Sequence, residues 1–376
     1  MKNKQRYKTE RQFDMNNTND RINLIDLNDY PVSWWNKILD LAHEIIKNPD
    51  DYKEACKGKI MGTLFYEPST RTQMSFQTAM LRLGGTIIGF DNPQTSSVAK
   101  GENIKDTTKL VSGYADIMVM RHPVAGSVRA AALTAECPVV NAGDGGHLHP
   151  TQTLTDLLTL KEEKGTLDNL TIGLCGDLKN GRTVHSLIKA MSCFKDTKFV
   201  LISTKELSLP PYVKDMLSAG GYEYKEVTSL DDAMEELDVL YMTRIQRERF
   251  ASEEDYQKQK GYYILDKEKM KKGKDSLIVL HPLPRVDEIA IDVDDDKRAL
   301  YFKQAKYGMY VRMALILTIL RNDGKPAPLT YGKVYNNLEC SNPKCITNHE
   351  TYLPKYFRGK GDTVICDYCD ERTLIE

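Results

Sequence analysis

The sequence predicts an α/β protein in which two doubly wound parallel-sheet domains flank an inter-domain cleft, and a small β-rich module follows at the C-terminal end. Short apolar runs alternate with helical stretches from residue 24 to residue 321, and a helical stretch from about residue 150 divides them into two series. Strands that alternate with helices form mostly parallel sheets with helices on both faces. The module is predicted from a cluster of cysteines within the last 37 residues.

The first series of elements begins after a polar N-terminal extension, residues 1–21. Residues 60–65 form a short apolar run, which predicts a buried strand. The helix that follows carries Phe76, Met80 and Leu83 on one stripe and ends at two glycines. Further strands are predicted at residues 117–120 and 139–140.

The second series repeats the alternation of strands and helices beyond the connecting helix. Strands are predicted at residues 170–175, 198–203, 239–242 and 277–280, and helices at 182–191 and 212–220. Residues 306–321 predict a last, amphipathic helix. The turn-rich stretch 322–328 then predicts a linker.

Four of the eight cysteines lie in two close pairs within the C-terminal segment. Four residues separate Cys340 from Cys345, and two separate Cys366 from Cys369. So short a segment cannot bury enough apolar surface to fold alone, whereas four thiolates at this spacing close a tetrahedral zinc site. The prediction is structural Zn²⁺, because four cysteine ligands leave no open position for catalysis. Disulfides and chance spacing are the alternatives.

Composition excludes several classes of function. The 376 residues carry a net charge of −1, so a nucleic-acid or anionic-membrane partner is not expected. No apolar run approaches the ~18 residues that span a bilayer. Residues 1–21 lack the apolar segment of a secretory signal, which predicts a cytoplasmic, reducing location. The other four cysteines are expected to be small core residues, namely Cys56, Cys137, Cys175 and Cys193.

One candidate anion site lies where the first predicted strand becomes a helix. Ser69 and Thr70 occupy N-cap positions there, followed by Arg71 and Thr72. The free N–H groups of a helix N-terminus attract an anion, and the arginine adds a forked cation. An ordinary helix cap with a surface arginine is the alternative for this motif taken alone.

Five further loops that follow predicted strands carry Arg, His or Gln, and ligands of open α/β sheets bind at the carboxyl ends of strands. Neither a dinucleotide fingerprint nor a P-loop is present, so the cleft is expected to need no catalytic cofactor. A cation-rich cleft of this kind suits transfer of an acyl-like group between anionic molecules. The five loops lie at residues 120–123, 143–152, 176–182, 241–246 and 281–285.

Six motifs in this order closely resemble aspartate carbamoyltransferase catalytic chains from about residue 22 to residue 321. The four-cysteine module resembles the zinc domain of that enzyme's separate regulatory chain, so the two look fused in one polypeptide. The resemblance implies that carbamoyl phosphate and L-aspartate give N-carbamoyl-L-aspartate and phosphate, in de novo pyrimidine biosynthesis. The motifs are Ser69-Thr70-Arg71-Thr72, Arg121-His122-Pro123, His149-Pro150-Thr151-Gln152, Gly176-Asp177-Leu178-Lys179, Thr243-Arg244-Ile245-Gln246 and His281-Pro282-Leu283-Pro284.

The resemblance also implies a role for each matched residue. The phosphate binds at Ser69, Thr70, Arg71 and Thr72. Thr72, Arg121 and His149 polarise the carbamoyl oxygen, and Gln152 binds the carbamoyl nitrogen with the backbone of Pro282 and Leu283. Leu283 also helps to place the attacking amine of aspartate. Arg182, Arg244 and Gln246 bind the aspartate carboxylates. Ser96 and Lys100 come from a loop that reaches the neighbouring subunit's substrates, which implies a homotrimer or higher homo-oligomer.

The resemblance divides the chain into functional domains. No room is left for the regulatory chain's nucleotide-binding domain, since about 18 residues separate the last helix from Cys340. We therefore expect no response to CTP or ATP, and expect the zinc module to act as a structural clamp at subunit contacts. The expected bounds are 22–150 with 306–321 for carbamoyl phosphate, 151–305 for aspartate, 322–331 for the linker and 332–376 for the zinc module.

Three other functions are weighed against this one. An ornithine-type carbamoyltransferase would need an acidic partner for ornithine and a cysteine in the motif at 281–284, and this sequence has arginines and Pro282 instead. A non-catalytic regulator or scaffold of the same fold would be expected to lose cleft residues. A zinc-ribbon nucleic-acid binder would be expected to carry a basic tail.

Overall fold

A computed structural model describes residues 21–245, 247, 250 and 252–375. Two parallel sheets form its large domains, as predicted. The first sheet has the order β2-β1-β3-β4 and the second has the order β7-β6-β5-β8-β9. The strands are β1 Ile60–Phe65, β2 Thr86–Phe90, β3 Ile117–His122, β4 Val139–Asp144, β5 Thr171–Cys175, β6 Lys198–Ile202, β7 Tyr224–Val227, β8 Val239–Met242 and β9 Ile278–Leu280.

Helices cover the faces of both sheets. Phe76, Met80 and Leu83 are all buried, so the stripe predicted for α2 faces the core. The helices are α1 Val32–Lys47, α2 Thr70–Arg82, α3 Ile104–Ser112, α4 Ser127–Ala132, α5 Pro150–Lys164, α6 Arg182–Met191, α7 Pro211–Ala219, α8 Glu253–Gln259, α9 Lys267–Lys272 and α10 Tyr301–Leu320.

The last helix departs from the prediction. Helix α10 begins five residues before the expected start at residue 306, and its residues from Val311 to Ile319 are buried on every side of the helix. It is therefore not amphipathic. The reason is its position, because α10 packs against α1, α2 and α5 at once and joins the core clusters of both domains.

The C-terminal module is an antiparallel sheet with the order β10-β11-β12-β13, in agreement with the predicted β-rich module. It packs on the first domain of its own chain. The N–H of Ala125 donates to the carbonyl of Lys344, and the N–H of Ile346 donates back to the carbonyl of Ala125. The strands are β10 Lys333–Val334, β11 Tyr356–Arg358, β12 Thr363–Cys366 and β13 Arg372–Leu374.

Three of the four isolated cysteines are buried, as expected for core residues: Cys56, Cys137 and Cys175. The expectation for Cys193 is wrong, because this residue is exposed just after the end of α6. None of the helices in the described part of the chain is long and apolar enough to cross a membrane.

Candidate active site

The carboxyl ends of strands from both sheets open into one cleft of ≈ 1770 Å³. Eleven of the fourteen side chains predicted for the active site line it. Residues of the zinc module, including Lys344 and Asp370, border the same cleft. The eleven are Ser69, Thr70, Arg71, Thr72, Arg121, His149, Gln152, Arg182, Arg244, Pro282 and Leu283.

The remaining three predicted residues have different positions. Ser96 and Lys100 are not among the described residues that line the cleft. They lie in two consecutive short 3-10 turns, where the hydroxyl of Ser96 accepts a hydrogen bond from the N–H of Val98 and Lys100 is exposed. Gln246 lies outside the described residues, as does the N-terminal extension up to residue 20.

The N-terminus of α2 lies at one end of the cleft and is the candidate anion-binding element. Strand β1 ends at Phe65, and the helix begins at Thr70 after the cap residue Ser69. The side chain of Ser69 makes no capping hydrogen bond in the structure. The first N–H groups of a helix lack partners within the helix, so those of α2 remain available to a phosphate.

Several guanidinium groups crowd the same end of the cleft. Burial, followed by the cations of Arg121 and Arg244, lowers the pKa of the Arg71 guanidinium. Among the ion pairs of the described residues, only the carboxylate of Glu67 offsets the positive charge of Arg121. Oε2 of Glu67 lies 3.0 Å from Nη2 of Arg121. A dianion bound beside Arg71 and Arg121 would be stabilised by both guanidinium groups.

His149 is the cap residue of α5 and lies beside the arginines, almost fully buried. Burial, followed by Arg182, Arg121 and Arg312, lowers its pKa well below the ordinary value of 6.5. The imidazole is therefore neutral near pH 7. Its Nδ1 has no hydrogen-bond partner in the described part of the chain, so a buried donor or acceptor is left for a ligand.

The backbone at Gly143 allows these groups to approach one another. Gly143 has a φ of +118°, and a methyl group there would lie 3.0 Å from Nη1 of Arg121 and 3.5 Å from Cδ2 of His149. Its conformation and its lack of a side chain are both required. The neighbouring Gly145 carbonyl accepts a hydrogen bond from Arg182, which links the start of α6 to this loop.

The loop after β9 also lines the cleft. The N–H of Leu283 donates to Nδ1 of His281 over 2.7 Å, so Nε2 of that ring carries the proton and donates to Glu288. Leu283 itself has a φ of +53°, a left-handed conformation that costs an ordinary residue about 1 kcal/mol or more. The loop therefore holds an unfavourable backbone shape where it lines the cleft.

The four cysteines of the C-terminal module fit a zinc ion. Their sulfur atoms all lie within 4.8 Å of one another, and all four residues are buried. The sulfurs of Cys340 and Cys369 are 3.5 Å apart, and those of Cys345 and Cys366 are 3.8 Å apart. Tetrahedral Zn–S bonds of about 2.3 Å place sulfurs about 3.8 Å apart, in agreement with this spacing.

The sequence analysis missed three buried polar residues at or just behind the cleft lining, namely Asp156, Gln304 and Arg312. Asp156 accepts hydrogen bonds from Gln152 and Gln304, and Arg312 donates from α10 to Ser75 and Thr151. The spacing of four between Gln152 and Asp156 on one helix was a usable signal. The charge of Arg312 within the apolar run 311–320 was another.

Three family models match successive parts of the chain. The model described as aspartate/ornithine carbamoyltransferase, carbamoyl-P binding domain, matches residues 23–162, and the Asp/Orn binding domain of the same family matches residues 168–319. The catalytic subunit of aspartate carbamoyltransferase from Clostridium perfringens is 58% identical over 298 residues, which are 79% of this chain and 97% of the relative. The chain belongs to the aspartate carbamoyltransferase family.

Further relatives and solved structures agree with this family. The corresponding subunit from Clostridium botulinum is 59% identical over 299 residues, covering 79% of this chain and 97% of its own. The catalytic subunit of M. jannaschii aspartate transcarbamoylase superposes with a TM-score of 0.75 at 46% identity, over 80% of this chain and 98% of that one. The structure of aspartate transcarbamoylase from Trypanosoma cruzi with carbamoyl phosphate and aspartate superposes with a TM-score of 0.75 at 37% identity. The match covers 79% of this chain and 96% of that one.

The third family model concerns the C-terminal module. It is described as the metal binding domain of the aspartate carbamoyltransferase regulatory chain, and it matches residues 332–375. Together with the sulfur geometry, this match confirms the predicted fusion of a catalytic chain with a zinc-binding module. The ornithine alternative finds no support, because the relatives that match over nearly their full length are named for aspartate.

Proposed function

We propose that the protein transfers the carbamoyl group of carbamoyl phosphate to the amine of L-aspartate. The observation that carries the proposal is the meeting of the α2 N-terminus, the arginine cluster and the neutral His149 in one cleft. The amine nitrogen attacks the carbamoyl carbon, a C–N bond forms, and the bond from that carbon to the phosphate oxygen breaks. The amine loses a proton to the departing phosphate, so no protein base is required.

Each site residue has a role in this reaction that its position supports. The phosphate occupies the α2 N-terminus beside Ser69, Thr70, Arg71 and Thr72. Thr72, Arg121 and His149 donate to the carbamoyl oxygen as it gains negative charge, and one such donor is typically worth about 3 kcal/mol in the transition state. A neutral His149 suits this role because it donates a hydrogen bond without the cost of burying another charge.

The acceptor and the carbamoyl nitrogen occupy the opposite wall. Gln152 and the carbonyls of Pro282 and Leu283 accept hydrogen bonds from the carbamoyl NH2 group. Arg182, Arg244 and Gln246 bind the two carboxylates of aspartate, since forked guanidinium groups match carboxylates. Ornithine would bring a cationic tail toward these arginines and would be repelled.

Carbamoyl transfer to aspartate and to ornithine, measured in parallel, tests the assignment. We expect carbamoyl-aspartate to form and carbamoyl-ornithine not to form. Arg244→Ala is expected to raise the KM for aspartate while leaving the affinity for carbamoyl phosphate within about threefold, because the lost cation faces the acceptor. Formation of neither product would favour a non-catalytic regulator or scaffold.

We further propose a homotrimer in which Ser96 and Lys100 complete the cleft of a neighbouring subunit. Their absence from the lining of their own cleft motivates this assignment. Lys100→Ala and His149→Ala trimers are each expected to be inactive. Mixed trimers reassembled from the two are expected to regain activity, since some clefts then combine two intact subunits. No recovery after demonstrated subunit exchange would overturn the shared site.

The zinc module is proposed to be a structural clamp. It spans residues 332–376 and packs through Ile346 and Tyr368 on the loop at Ala125 of its own first domain. Extension of this clamp to a neighbouring subunit stays a prediction. We also propose the domain bounds 22–150 with 306–321, 151–305 and 322–331, and no response of activity to CTP or ATP. A change in the aspartate saturation curve with either nucleotide, at fixed free magnesium, would contradict that last proposal.

A further inference from the structure

A fully buried carboxylate lies one helical turn beyond Gln152. Asp156 has no exposed surface, and its carboxylate accepts three hydrogen bonds from three different elements. Nε2 of Gln152 on α5 lies 2.8 Å from Oδ1, and Nε2 of Gln304 on α10 lies 2.7 Å from the same oxygen. The hydroxyl of Tyr241 on β8 donates to Oδ2 over 3.1 Å.

The charge of Asp156 determines which way the amide of Gln152 points. An ionised carboxylate can only accept hydrogen bonds, so Gln152 must present its NH2 group to Asp156. Its carbonyl oxygen Oε1 then faces away from Asp156, and the residue lines the cleft. An acceptor at this place matches a substrate NH2 group and does not match a methyl group.

The same argument applies to the loop after β9. Gln304 also presents its NH2 group to Asp156, so its Oε1 accepts the N–H of His281 over 2.9 Å. The ring of His281 in turn accepts the N–H of Leu283. One carboxylate thus orients both the side-chain acceptor at Gln152 and the segment that carries the backbone carbonyls of Pro282 and Leu283.

We propose that Asp156 is the positioning residue that makes this cleft select an NH2-bearing acyl phosphate, carbamoyl phosphate, over acyl phosphates of equal size such as acetyl phosphate. The inference rests on the proposed function, since it deepens the recognition of the donor substrate in the same cleft. Sites built to hydrogen-bond an NH group reject analogues that lack it, because the buried acceptors are then left unpaired.

Asp156 is mainly ionised above about pH 7, and the test is therefore made at pH 8. Burial raises the pKa of its carboxyl to about 7, while the three donors and the nearby Arg312 oppose that rise. Arg312 is itself fully buried, and burial lowers its pKa to about 10, so it stays cationic at pH 8. Tyr241 is neutral at that pH, because burial raises its pKa well above 10.

The test compares two ligands on two variants at pH 8. Calorimetry gives the dissociation constants of carbamoyl phosphate and acetyl phosphate for the wild-type protein, Asp156→Asn and the matched control Tyr241→Phe. Asparagine preserves the shape of Asp156 but offers an NH2 group that permits either glutamine amide to turn. Tyr241→Phe removes the third hydrogen bond and leaves both glutamines oriented by the carboxylate.

We expect Asp156→Asn to weaken carbamoyl phosphate binding roughly 10- to 100-fold, as expected for one or two misdirected buried acceptors, and to change acetyl phosphate binding less than about threefold. Tyr241→Phe is expected to keep the wild-type ratio of the two constants. If Asp156→Asn weakened the binding of both ligands by the same factor, or changed neither, the ratio of the two dissociation constants would stay as in the wild-type protein. Asp156 would then be a purely structural residue, and the proposal would be overturned.

A second variant protects the test if Asp156→Asn fails to fold, which its melting curve would report. Gln304→Met keeps the volume, removes both hydrogen bonds of the Asp156–Gln304–His281 connection and leaves Gln152 oriented by Asp156. The preference for carbamoyl phosphate over acetyl phosphate is therefore expected to fall by a smaller factor, roughly threefold to tenfold. An unchanged ratio in this variant would overturn the proposal. Wild-type protein that shows the ligand preference but carbamoylates no acceptor would contradict the proposed function and leave the role of Asp156 standing.

Discussion

Replacement of His149 by alanine tests how the cleft stabilises charge during carbamoyl transfer. The imidazole is buried beside three arginines, its Nδ1 has no partner among the described residues, and its pKa lies well below 6.5. It therefore acts in the proposed reaction as a neutral donor to the carbamoyl oxygen. Loss of one such donor typically costs about 3 kcal/mol in the transition state, or roughly a 10²- to 10³-fold lower kcat.

The assay is the initial rate of carbamoyl-aspartate formation with both substrates saturating, from pH 6 to pH 9. His43→Ala is the matched control, because His43 lies on α1 and pairs with Glu162 over 2.7 Å, outside the cleft lining. We expect this control to keep kcat within about twofold. The affinity for inorganic phosphate is expected to change little in His149→Ala, because the phosphate lies at the α2 N-terminus.

Two results would refute the reasoning about His149. A loss of less than about fivefold in kcat would show that the imidazole does not stabilise the developing charge. Loss of wild-type kcat as pH rises through 6 to 7 would indicate that a protonated imidazole carries the activity. The lowered pKa predicts instead that His149 contributes no such step in this pH range.

Three further predictions concern the module, its contact with the first domain, and pH. Removal of zinc with a chelator, or Cys345→Ser, is expected to lower the melting temperature by several degrees while carbamoyl transfer persists, since the binding free energy of the metal stabilises the small module and not the cleft. Calorimetry measures the melting temperature and the standard assay measures the transfer. Loss of all activity in a still-folded protein would contradict this prediction. Gly126→Ala is expected to destabilise the docked module by about 1–3 kcal/mol, because its φ is +83° and a methyl group would lie 2.6 Å from Cβ of Tyr368; Gly165→Ala, also at positive φ but with open space around it, is the control in thermal unfolding. Binding of carbamoyl phosphate relative to acetyl phosphate is expected to weaken as pH falls through about 7, where protonation of Asp156 turns an acceptor into a donor. Asp156→Asn should abolish this pH dependence, and a pH dependence that persists in that variant would belong to another group.

Much of the fold could be predicted from local sequence patterns. The strands at 60–65 and 239–242 and the helix at 182–191 have the predicted bounds, because buried strands of parallel sheets are continuous apolar runs. Strands β2 and β7 were not predicted. Both lie at sheet edges and contain only exposed and half-buried residues, so neither is a buried strand of the kind that a long apolar run predicts.

The candidate site likewise contains residues that the sequence predicted and residues that it did not. Motifs at strand ends predicted the eleven residues that meet in the cleft, because parallel strands bring their carboxyl ends to one edge. The proposal that Ser96 and Lys100 act in a neighbouring subunit's cleft rests on the resemblance, and the two residues are not among the described residues that line their own cleft. No motif marked Gln304, whose partners Asp156 and His281 lie 148 and 23 residues away in the chain.

The sequence by itself determined the α/β class, the two series of elements, the cysteine cluster and the loops that carry the site. These features are local, since periodicity, turn residues and ligand spacing act over a few residues. Only the tertiary structure decided that α10 is buried on all sides from residue 311 to residue 319, that the zinc module packs on its own first domain, and that Asp156 joins α5, α10 and β8. Each of these depends on groups far apart in the chain, whose contacts arise when separate elements pack and exclude water.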